Sequence, residues 1–259
     1  MRSKLTSVSI LLLFCIFCSS CRTRTDKSFI NNWVSYPIKA NLDSLHISNN
    51  SPNDWYIYLK NDSVRVIDFK NHKAPSLPFV IKADSNKKIL RGDLSILKVN
   101  DGYLIGSYRG EWGGGLYWFS SNGDKSYMIS GDEIVQFLKK GDEIYAIQGL
   151  AHLFMSEGSI ISIEKIKNTW TAKQVLKLPT APYAAALDSK QNFIVITSKS
   201  LFKIDENFST TILIDSGIWY RALYPNSLIV KNDIIYAGMR ACVYKYNLVS
   251  KKQEWLLPN

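Results

Sequence analysis

The chain has 259 residues, a formal net charge of +10, 46% apolar residues and a heavy aromatic load of 14 Tyr, 11 Phe and 7 Trp. That apolar content suits one large core and excludes a disordered chain. The 32 Lys and Arg are scattered with no run of five, which excludes a nucleic-acid stripe, and the aromatics favour strands over helices.

The first segment, Met1–Lys4, is basic, and Val8–Phe17 (VSILLLFCIF) is apolar but too short to cross a bilayer. This is the pattern of a signal peptide. Cys18-Ser19-Ser20-Cys21 follows, and small residues just before a cysteine resemble the lipobox of bacterial lipoproteins. That resemblance implies that residues 1–20 are removed, that Cys21 is lipidated, and that acyl chains hold the protein at a membrane. Cys18 stands where the family carries Leu. Arg22 replaces the Asp that keeps enteric lipoproteins at the inner membrane, so the resemblance points to the outer membrane, facing the periplasm. The alternative is an ordinary secretory signal that leaves Cys21 as a free thiol. Without Arg2 and Lys4 the charge falls to +8. Residues 21–32 read as a polar tether and residues 33–259 as the folded domain. Of the four cysteines only Cys242 then remains besides Cys21, so no intramolecular disulfide is expected. Between Ala241 and Val243, Cys242 reads as a small buried hydrophobe.

From Trp33 onward, short apolar runs alternate with Asn, Asp, Gly and Ser, and no helical period is sustained. Paired-strand units fall at Asp54–Phe69, Asp101–Ser120, Asp142–Glu164, Gln191–Asp205 and Asn232–Asn247. With Tyr56, Leu104, Ile144, Phe193 and Ile234 taken as equivalent, the steps are 48, 40, 49 and 41 residues. Further apolar runs precede the later units at Leu94–Val99, Ile134–Leu138, Tyr183–Leu187 and Ala222–Val230, and suit strands facing a central channel. A period in the forties is the spacing of propeller blades, which must stack to cover their apolar faces. The expected fold is all-β, a β-propeller of five to six four-stranded blades. A sixth blade would join Phe29–Ile47 to Gln253–Leu257. A β-sandwich or large barrel is the competing architecture.

The stretches Pro182–Asp205 (PYAAALDSKQNFIVITSKSLFKID) and Leu223–Tyr246 (LYPNSLIVKNDIIYAGMRACVYKY) resemble blades of the propellers that include NHL repeats, sensor-regulator propellers and the SMP-30-like gluconolactonases. The resemblance implies a propeller but fixes no chemistry. Gluconolactonases hold a divalent metal at the channel mouth, and by resemblance Tyr224-Pro225-Asn226 makes Asn226 a candidate ligand. Where the family shows an acidic residue after Pro, this chain has Tyr183, so metal-dependent hydrolysis stands as the alternative reading only.

Gly110-Glu111-Trp112-Gly113-Gly114-Gly115 reads as a hairpin in which Gly supplies positive φ, with Trp112 projecting from a blade edge. His46, His72 and His152 show no metal-ligand spacing, and His152 is the best single candidate for a polar role. No nucleophile motif is present, and no metal or cofactor is expected. What remains is an aromatic and basic set at blade corners: Arg109, Glu111, Trp112, Trp219, Tyr220, Arg221, Tyr224 and Arg240, beside His152 and Asn226. Flat Trp and Tyr faces suit sugars or peptide side chains, and Arg suits carboxylates. The expectation is a monomeric, lipid-anchored envelope module, without catalysis, that binds a protein or glycan partner. An inhibitor of an incoming toxin is equally compatible with these residues.

Overall fold

A computed structural model describes residues 28–39, 41–81 and 90–259; Cys21 and the leader lie outside the described residues. The chain folds as a β-propeller built from five antiparallel sheets. The first is a hairpin of β2 (Trp55–Lys60) and β3 (Ser63–Asp68). The second runs β4 (Asp93–Val99), β5 (Gly102–Tyr108), β6 (Gly114–Ser120) and β7 (Ser126–Ser130). The third is β8 (Ile134–Lys140), β9 (Glu143–His152), β10 (Met155–Ile166) and β11 (Thr169–Leu178). The fourth is β12 (Pro182–Leu187), β13 (Phe193–Thr197), β14 (Leu201–Ile204) and β15 (Thr210–Ile214). The fifth holds β16 (Ser227–Lys231), β17 (Ile234–Gly238), β18 (Val243–Asn247) and β19 (Gln253–Leu257), with β1 (Val34–Pro37) on its outer edge.

Local chemistry sets the turns. Asn61-Asp62, Lys167-Asn168 and Asn232-Asp233 each place two consecutive residues at positive φ, the two-residue hairpin geometry that matches strand twist. Asp188, Asp205 and Asn247 each accept backbone N–H groups two to four residues further on, closing other corners.

The sheets cover one another. Tyr145, Ile147 and Ile160 of the third blade pack on Phe193, Val195 and Phe202 of the fourth. Ile194, Ile196 and Leu201 on the fourth blade's other face meet Leu228, Ile235 and Tyr244 of the fifth. Val64 and Val66 of the first hairpin pack with Ile229, Tyr236 and Val243. Ile105, Tyr117 and Phe119 of the second blade are covered by Leu77, Phe79 and Ile81, which lie outside any strand.

Two expectations change. The chain's two ends do pair, Val34 with Leu257 through Pro37 with Glu254. They form the edge of the fifth sheet, however, and not a sixth blade. Second, Tyr56 is not equivalent to Leu104, Ile144, Phe193 and Ile234. Those four sit on second strands, whereas β2 opens its sheet and lies beside β16. Trp55 N–H donates to the Met239 carbonyl at 3.1 Å, and Ile57 N–H to Ser227 Oγ at 2.9 Å. The first and second strands of a blade are both alternating apolar runs, so the sequence period alone does not say which one faces the channel. Ahead of Trp33, Ile30 is buried and the Arg65 guanidinium lies over the Phe29 ring, so this segment already packs on the first hairpin.

Candidate functional site

In an antiparallel meander, the entry to the first strand and the turn between the second and third strands fall on the same edge. That edge of the propeller gathers all ten residues singled out from the sequence, Glu111 and Tyr224 included. Arg109 and Trp112 are in the β5–β6 turn, His152 ends β9, and Arg240 is in the β17–β18 turn. Trp219, Tyr220, Arg221 and Asn226 lie on the segment leading into β16.

The structure gives them different roles. Trp112 is 72% exposed, on a short 3-10 turn flanked by Gly110 and Gly113 at positive φ, as the glycine string implied. Arg109 donates to the Trp112 carbonyl and shapes that turn. His152 Nε2 lies 2.7 Å from Glu111 Oε2, tying the second and third blades together across the face. Tyr220 is exposed with the Arg221 guanidinium 5.0 Å from its ring centre. Arg240 sits 5.0 Å from the exposed Tyr224 ring and donates to the Asn49 carbonyl and side chain.

Trp219 does not belong to the rim. It is 1% exposed, packs edge-to-face on Tyr244, and donates its indole N–H to the Thr197 carbonyl at 3.1 Å. An indole with a satisfied N–H in an interblade core is a packing element. Asn226 is engaged too: its amide donates to Asp54 at 2.7 Å and accepts from the Ser227 hydroxyl at 2.8 Å. Burial raises the Asp54 carboxyl, with Arg240 and Asn226 opposing. Cys242 is fully buried, which pushes its thiol well above the usual range and makes it a poor nucleophile.

At the same end, a cavity of about 510 Å³ opens between the first strands of the five sheets. Its wall includes Tyr56, Asp93, Tyr108, Gln136, Tyr183 and Asn226, with His72 after β3. Of the ten residues picked from the sequence only Asn226 lines it. Sequence reading missed Tyr56, Asp93, Tyr108 and Tyr183 as site residues; aligning first strands with first strands would have brought Tyr56, Asp93 and Tyr183 together, with Tyr108 following as the strand partner of Asp93. Among the described residues, no three His, Cys, Asp or Glu side chains are placed to hold a metal ion.

No protein-family model matches the chain, and no curated protein matches it. Solved structures similar to it include a virginiamycin B lyase from Staphylococcus aureus, at 12% identity and a TM-score of 0.45 over 62% of this chain and 54% of the lyase. TolB from Acinetobacter baumannii is similar at 10% identity and a TM-score of 0.40, over 79% of this chain and 51% of TolB. The extracellular domain of a putative hybrid two-component system, BT4673 from B. thetaiotaomicron, is similar at 11% identity and a TM-score of 0.32, over 78% of this chain and 31% of that one. The chain thus spans about half the length of the first two. At such scores nothing is carried over from them, and the propeller assignment rests on the chain's own sheets.

Proposed function

We propose that this chain is a cell-envelope propeller that acts as a non-catalytic binding or scaffold module, held at a membrane through lipidated Cys21 on the periplasmic side of the outer membrane. Its partner is an envelope protein or glycan, taken up by a monomer. The observation that carries the reading is a set of exposed side chains, Trp112, Tyr220, Arg221 and Tyr224, with the half-buried Arg240, on the edge of the propeller where the cavity opens. Exposed aromatics held by short turns offer contact area at small entropic cost. The likeness of Pro182–Asp205 and Leu223–Tyr246 to NHL and SMP-30-like blades supports a binding propeller. A metal-dependent lactonase has less support, because Asn226, its one traceable ligand, is engaged by Asp54 and Ser227.

The test is capture from outer-membrane protein fractions and on purified peptidoglycan. The full chain should retain a partner, and a Trp112→Ala/Tyr220→Ala double variant should lose it with its melting temperature unchanged. Unaltered capture by the double variant would overturn the rim reading. Separately, Cys21→Ser should move the protein out of the membrane fraction and abolish labelling by a fatty-acid probe.

A further inference from the structure

The cavity has a composition at odds with the chain around it. The protein carries 32 Lys and Arg against 22 Asp and Glu, yet among the described residues no Lys or Arg lines the cavity. Among the described residues Asp93 is its one carboxylate, exposed at the start of β4. Three tyrosines, Tyr56, Tyr108 and Tyr183, form much of the wall, and His72 lies flat on Tyr56 with ring centres 3.6 Å apart. Burial lowers the His72 pKa below the usual imidazole value, so at neutral pH it adds no positive charge.

The electrostatics point the same way. Asp93 is the strand partner of Tyr108. Burial, then the Glu133 and Asp93 carboxylates, push the Tyr108 hydroxyl up, so two acids act on this wall. The Tyr183 hydroxyl is pushed up to about 12 by burial and by Tyr224 and Tyr108, which keeps its ring neutral.

The amides in the wall are already partly committed. Gln136 donates to the Ala185 carbonyl at 2.9 Å and accepts the Ala185 N–H at 3.1 Å, and Asn226 is held between Asp54 and Ser227. One N–H and one lone pair of each amide are thus spent within the protein, which leaves each only partly free to read sugar hydroxyls. A bare metal ion would want several converging oxygens, and among the described residues the wall offers a single carboxylate. An alkylammonium ion matches better: its carbons suit the apolar wall, and its spread charge is favoured over the negative faces of aromatic rings. The volume also falls within the range of small-ligand sites.

We infer that the channel mouth binds a small organic ammonium ion, with Asp93 as counter-charge and Tyr108, Tyr183 and the His72-backed Tyr56 as its aromatic wall. This rests on the binding reading of the same face and names a ligand class for it. The ammonium group is free or is carried on a larger partner.

Calorimetric titration of the full chain with choline, against its uncharged isostere 3,3-dimethylbutan-1-ol, tests the charge requirement. Choline should bind at least tenfold more tightly than the alcohol. Asp93→Asn should weaken choline about tenfold, Tyr183→Leu should abolish binding, and Tyr183→Phe should retain it because the ring face remains. Each variant's melting curve controls for folding. Equal affinity for both probes, no heat with choline, or unchanged binding in Asp93→Asn would each overturn the inference. Tighter binding of a chito-oligosaccharide, insensitive to Asp93→Asn, would also overturn it. Capture of an envelope partner that still depends on Trp112 and Tyr220, with no choline binding, would leave the binding module standing and remove only the ammonium assignment.

Discussion

Two turns occupy the same topological slot and meet opposite fates. Between β17 and β18, Met239 and Cys242 are fully buried; between β9 and β10, Leu153 is 84% exposed and Phe154 fully so. Each joins the second to the third strand of its blade on the same face. The difference lies in what covers them. Ala241 N–H reaches the Asn53 carbonyl at 2.9 Å, Arg240 N–H reaches the Leu223 carbonyl at 2.7 Å, and the Arg240 side chain holds Asn49. Two long segments thus fold over the fifth blade. Among the described residues no comparable cover lies on Phe154. A turn's position in the repeat fixes where it projects, and neighbouring chain decides whether it becomes core or contact surface.

Four substitutions sharpen this contrast, from the largest expected effect to the smallest. Trp255→Ala empties a fully buried site packed on Tyr244 in the covered blade, and should cost about 3–5 kcal/mol by denaturant unfolding. A loss below about 1 kcal/mol would mean the fifth blade is not the rigid half of the comparison.

The same blade should carry an acid-sensitive clasp. Glu254 is held down to about 2 from about 4.5, chiefly by Lys252 at 2.7 Å, then by Lys245 at 2.9 Å and the Ser35 hydroxyl at 2.7 Å, against the opposing effect of burial. A carboxyl lowered in the folded state stabilises above its unfolded pKa, and that contribution is lost as pH falls from about 4.5 toward about 2. The melting temperature of the wild type should therefore fall more steeply across that window than that of Glu254→Gln. Parallel curves would show that the clasp joining β1, β18 and β19 does not depend on this charge.

Arg240→Ala, which releases Asn49 and Tyr224 from the covered turn, should cost about 1–2 kcal/mol in the same unfolding assay. Phe154→Ser in the bare turn should change stability by no more than about 0.5 kcal/mol. A larger loss there would erase the distinction between the two turns.

Much of the architecture was legible because its signals are local. Polar corners such as Asn61-Asp62 and Asn232-Asp233 mark hairpins, and the position of Cys242 between Ala241 and Val243 marks it as interior. Reading the site was harder for a physical reason. Trp219 and Tyr220 are neighbours in sequence, yet one fills a core and the other faces solvent. Nothing in a Trp-Tyr pair says which ring the Thr197 carbonyl will capture. Likewise, Tyr56 became a cavity residue only when β2 was set beside β16, through the bond from Ile57 to Ser227, 170 positions away.

The order of residues by itself determined that this chain makes short antiparallel strands in a repeating pattern, because side-chain alternation and turn chemistry act over a few positions. Tertiary structure alone decided which strand of each blade faces the channel, how Val34–Pro37 pairs with the last strand of the fifth sheet, and that a basic protein lines its channel mouth with tyrosines and an aspartate. Those outcomes depend on contacts between segments far apart in sequence, whose free energy exists only once the blades have stacked.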